Sequence, residues 1–111
     1  MRPRGSPVTV AADLPTAVLH LVLSAGSGAF DACRRACSAG DSVLFMDNGA
    51  RQLLIGEPGK QLPPGVAMYF GKADLEARGL LSAATEARVR LLVDDDFPDL
   101  LERHRHCLSW K

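Results

Sequence analysis

Val18-Leu19-His20-Leu21-Val22-Leu23 is the stretch that decides the fold. Apart from His20 it is uninterrupted apolar sequence rich in branched side chains, the composition of a strand buried on both faces of a parallel sheet. Ser24-Ala25-Gly26-Ser27-Gly28 breaks it. From Ala29 to Ala39 the apolar residues Phe30, Cys33 and Cys37 recur at helical spacing, and Gly40 follows where a left-handed helix stop belongs. Ser42 to Met46 is a second strand, closed by the turn signal Asp47-Asn48-Gly49. Ala50 to Ile55 reads as a short helix and the proline- and glycine-rich Gly56 to Gly65 as a surface connection. Val66 to Phe70 is a third strand. A short helix from Lys72 to Arg78 stops at Gly79, with Asp74 near its start, where a carboxylate suits the free N–H groups. Leu80 to Glu86 adds a helical turn, and Val89 to Val93 is a fourth strand. Asp94, Asp95 or Asp96 then caps a helix from Phe97 to His104, and His106 to Lys111 ends the chain. Strand and helix alternate, with links too long for hairpins. The order predicts a small three-layer α/β domain with a mostly parallel sheet.

The chain has 111 residues, 47% of them hydrophobic, and 13 basic against 13 acidic side chains. That supports a real core, so disulfide staples are not needed. Zero net charge provides no electrostatic grip on nucleic acid. The longest apolar run, Ala17 to Leu23, falls far short of the ~20 residues of a membrane span. Three cysteines make no closed disulfide framework and no secretory segment precedes them, so a reducing cytoplasm is expected. Pro3, Pro7 and Pro15 mark residues 1–17 as a flexible leader, and 18–111 as one domain. Arg2 and Arg4 suggest a transit peptide, against which the prolines and Asp13 argue.

Ligands of such sheets collect at the carboxyl ends of the strands. There, Gly26-x-Gly28 before a helix is either a phosphate cradle or a plain flexible turn, and it lacks a full nucleotide fingerprint. Asp94 to Asp96 are consecutive, which suits a cap and a solvated turn better than a metal or phospho-acceptor site. His104, His106 and Cys107 lack zinc-finger spacing, and no metal or cofactor site is expected. Cys33 and Cys37, four apart, share one helix face but are not a CxxC pair. Arg34 and Arg35 could favour a thiolate at Cys33, whereas Phe30 on the same stripe makes Cys33 a core residue. Both readings stand on the residues alone.

Four features resemble the TusB/DsrH family of sulfur-relay subunits, over Val18 to Trp110. They are Leu19-His20 followed by a Ser-containing loop, and Ser38-Ala39-Gly40-Asp41 running into Val43-Leu44-Phe45-Met46. The block Asp74-Leu75-Glu76-Ala77-Arg78-Gly79-Leu80 matches the family's D-L-x-A-R-G-L, and the ending runs from Asp95-Asp96-Phe97 through His104 to Ser109-Trp110. Asp47-Asn48-Gly49-Ala50 departs from the family turn, whose second position is Asp. The resemblance implies a DsrE-like, flavodoxin-like fold and a heterohexamer with homologous TusC/TusD-like or DsrE/DsrF-like subunits. Such complexes relay persulfide sulfur to the wobble uridine of tRNA or serve cytoplasmic sulfur oxidation, with the main acceptor cysteine on a partner. The expected role is therefore an accessory subunit serving tRNA 2-thiolation, without direct nucleic-acid or membrane binding. Sulfur oxidation, or a purely structural module, are the alternatives. Cys33, seven residues before Gly40, inherits the position of a cysteine in the DsrH branch and is the candidate persulfide thiol. Trp110 is an interface anchor or packs on its own domain.

Overall fold

The computed structural model describes residues 16–111, so the expected leader lies outside the described residues except for Thr16 and Ala17. Five strands form one sheet: β1 (Val18–Val22), β2 (Ser42–Phe45), β3 (Ala67–Gly71), β4 (Leu91–Leu92) and β5 (His106–Trp110). Their spatial order is β4-β3-β2-β1-β5, and every neighbouring pair is parallel. Between them lie helices α1 (Ala29–Ala36), α2 (Pro58–Gln61), α3 (Lys72–Ala77), α4 (Leu81–Ala87) and α5 (Phe97–Glu102). Two 3-10 segments, Asp47–Leu54 and Asp94–Asp96, complete the described elements.

Strand side chains alternate between faces, and the core splits accordingly. Val22, Val43, Phe45 and Phe70 pack with Phe30 and Cys33 of α1, Leu75 of α3 and Ala84 of α4. Leu19, Leu44 and Leu92 pack on the other face with Leu100 and Phe97 of α5. The connectivity explains the division. From β1 to β4 the chain steps one way across the sheet, then returns past β1 to place β5. Right-handed crossovers taken in opposite directions put their helices on opposite faces. A ring series crosses the larger core, with centroids 5.2 Å apart for Phe30–Phe45 and 4.6 Å for Phe45–Phe70. The three-layer parallel α/β reading holds.

Several local expectations change. The final residues, read only as the end of the chain, form β5, which pairs Val18 with His106 and Val22 with Trp110. His106 to Ser109 are exposed, so this edge strand never needed the apolar composition that marks the central ones. The expected fourth strand is paired only at Leu91–Leu92. Helix α1 ends at Ala36, and Cys37 is extended (φ −76°, ψ 143°). The segment after β2 is a 3-10 helix that begins at Asp47 rather than Ala50. It fits because Gly49 lacks a side chain: a Cβ there would stand 1.8 Å from the Val22 carbonyl oxygen. The Gly56 to Gly65 connection contains the single turn α2. Asp96 occupies the N-cap position of α5, but its side chain makes no capping hydrogen bond, so the acidic run does not cap as expected.

Candidate functional site

His20 is the one polar residue inside β1, and it is 1% exposed. A buried imidazole must find partners for both nitrogens or lose stability. It has them. Nε2 donates to Asp41 Oδ2 at 3.0 Å, and Nδ1 accepts from the Trp110 indole N–H at 3.1 Å. An indole nitrogen only donates, so the lone pair sits on Nδ1 and the ring proton on Nε2. The two rings stack with centroids 6.0 Å apart. Trp110 is half-buried and packs against the α1-side core.

Asp41 closes the Ser38-Ala39-Gly40-Asp41 block. Besides His20 it accepts from the Val18 N–H at 3.0 Å and the Ser38 N–H at 3.1 Å. Burial alone would raise its carboxyl, but these three donors outweigh that and hold it below its ordinary value. One carboxylate thus joins the end of α1 to the start of β1. The Ser38 N–H bond holds the chain just past α1, beyond the extended Cys37.

The thiols lie beside this pair. Cys33 is fully buried on α1, and Cys37, just past the helix, is half-buried. Both sulfurs and a ring nitrogen of His20 fall within 4.8 Å of one another. Burial, then the neighbouring Cys37 and the Asp41 carboxylate, push the Cys33 thiol far above its ordinary 9.0. Burial and Asp41 also raise Cys37, against a lowering by the Cys33 thiol. Arg34 and Arg35, expected to favour a thiolate at Cys33, both pair with Asp31 one turn earlier. The sequence-predicted Cys33 therefore sits in the core as a protonated thiol.

Other candidates disperse. His104 Nδ1 donates to the Leu100 carbonyl (2.6 Å) and its Nε2 shares a hydrogen bond with Ser42 Oγ (2.9 Å), while His106 and Cys107 are exposed on β5. Among the described residues, the group of three or more potential metal ligands is His20, Cys33 and Cys37. Gly26 and Gly28 take left-handed φ of 70° and 87°, a backbone that glycine allows. In the D-L-x-A-R-G block, Arg78 donates to Asp47 Oδ1 (2.8 Å), Asn48 Oδ1 (3.2 Å) and the Asp74 carbonyl (3.1 Å). It clamps α3 to the turn after β2. Asn48 departs from the family's acid yet still offers an acceptor oxygen.

The residues missed from sequence were Asp41 and Trp110 as partners of His20. The available signal was His20 itself, one polar residue in a buried apolar strand.

No helix among the described residues is long and apolar enough to cross a membrane. No curated protein matches the chain. A family model described as DsrH like protein matches residues 24–107, a span that holds Cys33, Cys37, Asp41 and Arg78. With most of its length covered by that model, the chain belongs to the DsrH-like family.

Proposed function

We propose that this chain is an accessory subunit of a cytoplasmic sulfur-relay complex, docked beside homologous TusC/TusD-like or DsrE/DsrF-like subunits in a heterohexamer. The complex hands persulfide sulfur onward, with the 2-thio group of the tRNA wobble uridine as its destination. In each handover a thiolate attacks the outer sulfur of a persulfide, the donor S–S bond breaks, and the donor leaves as a thiolate. That step requires an accessible thiolate.

The observation that carries the accessory role is the state of Cys33. Its sulfur is buried and its thiol favoured in the protonated form, which supports a reading in which the main acceptor thiol belongs to a partner. Exposed apolar side chains, with Leu54 at 63%, Ile55 at 44% and Leu108 at 45%, are consistent with surface that a partner covers. The test is co-expression with the homologous subunits, followed by size determination and quantification of thiolated wobble uridine in cells lacking the chain. A chain that stays alone, or unchanged thiouridine with the complex absent, overturns the reading.

A second reading rests on the resemblance, which gives Cys33 the position of a cysteine in the DsrH branch, and on the half-buried Cys37 beside it. Here the complex serves sulfur oxidation, and Cys33 takes up persulfide after α1 opens. Incubation with a persulfide donor, alkylation and mass measurement decide it. A sulfur adduct on Cys33 in the assembled complex supports this reading, and an unmodified Cys33 rejects it.

A further inference from the structure

We propose that His20, Cys33 and Cys37 form a binding site for a thiophilic divalent cation of the zinc class. The site does not depend on the sulfur-relay reading. A ring nitrogen and two sulfurs within 4.8 Å of one another is the first argument. Ligand atoms around a tetrahedral zinc stand roughly 3.3 to 3.8 Å apart, given bonds of about 2.0 to 2.3 Å. Modest side-chain shifts therefore bring the three to bonding distance. The elements that carry them, β1 and the end of α1, are already packed together.

The second argument is the carboxylate behind the ring. Histidines that bind metals donate their other ring N–H to a carboxylate or carbonyl, which fixes the ring and strengthens the ligand. His20 already donates Nε2–H to Asp41, itself held by two backbone N–H groups. The ring's lone pair is on Nδ1, so the cation takes that nitrogen. Three protein ligands leave a fourth position for water.

The balance is simple. Two thiols become thiolates, two S–metal bonds form, and two protons leave to solvent; the imidazole lends its lone pair without losing a proton. Nothing is oxidised or reduced. In the resting fold Nδ1 accepts from the Trp110 N–H, so binding must displace that indole. Trp110 is the only tryptophan in the sequence and reports the event.

The test titrates the reduced, chelator-treated full chain with Co²⁺ and then Zn²⁺. The expected result is one Co²⁺ per chain, a near-ultraviolet thiolate-to-cobalt charge-transfer band that Zn²⁺ abolishes, two protons released per metal, and a parallel change in Trp110 emission. Cys37→Ser should weaken binding at least ~10-fold, and Cys107→Ser should leave it unchanged. So that a folding defect in Cys37→Ser cannot decide the outcome, a second readout uses the unaltered chain: Zn²⁺ should slow alkylation of Cys37 and not of Cys107. A folded chain without the band, a band that depends on Cys107, unmoved Trp110 emission, or Cys37 alkylation indifferent to Zn²⁺ each overturns the site.

Discussion

Trp110 donates its indole N–H to His20 Nδ1 across 3.1 Å, joining positions 90 residues apart in the chain. The bond holds the edge strand β5 to β1 through a side chain as well as through the β1–β5 ladder.

Trp110→Phe keeps an aromatic ring of smaller size but removes the donor, leaving the buried His20 Nδ1 without its partner. The expected loss is about 1–3 kcal/mol. Denaturant unfolding should show a lowered midpoint with an unchanged slope; an unchanged midpoint would show that the bond carries no stability.

Asp41 is a hub for three donors, and Asp41→Asn removes its charge. Losing the charge-assisted character of these hydrogen bonds costs about 1.5–3 kcal/mol. The sign of the pH effect follows from its lowered pKa. The ionised form is preferred in the fold, so its stability contribution is full above the ordinary value of 3.8 and fades as pH falls below it. Unfolding midpoints measured down an acid series should fall more steeply for the unaltered chain than for the variant.

Cysteine reactivity should rank Cys107 first, Cys37 second and Cys33 last, following exposed, half-buried and buried positions. Alkylation timed by mass spectrometry at neutral pH checks the order. The raised Cys33 pKa also has a stability consequence. The protonated thiol suits the fold, so its contribution is intact below 9.0 and declines as pH rises above that, where the unfolded chain ionises first. A chain whose stability is flat through that alkaline range, or whose Cys33 reacts first, would contradict the assigned burial.

Two buried positions test the packing. Phe45→Ala removes the middle ring of the Phe30–Phe45–Phe70 series and should cost about 3–5 kcal/mol. Gly49→Ala adds only a methyl group, yet that methyl overlaps the Val22 carbonyl oxygen. It should therefore destabilise at least as much as an ordinary overpacking change of about 1–3 kcal/mol, seen as a lowered thermal midpoint.

The legible parts of this protein were those that local pattern encodes. The apolar blocks at Val18, Ser42 and Val66 marked central strands because both faces of a parallel sheet are covered. The Cys33 stripe marked the buried face of α1 for the same reason. β5 was not legible, because an edge strand exposes its side chains and joins the sheet through backbone hydrogen bonds that almost any sequence can make. The capping expectation for Asp94–Asp96 failed because residue type permits a cap, while side-chain orientation decides whether one forms.

The site divides along the same line. The sequence by itself determined the layered parallel architecture and the buried α1 stripe that carries Cys33, since those properties depend on spacing of a few residues; Cys37, expected on the same helical face, lies just past the helix end in extended backbone. Only the tertiary structure decided that His20, Asp41 and Trp110 meet those thiols. Their contacts span tens of residues, and the crossover that brings β5 beside β1 is set by packing of the whole sheet, which no local period records.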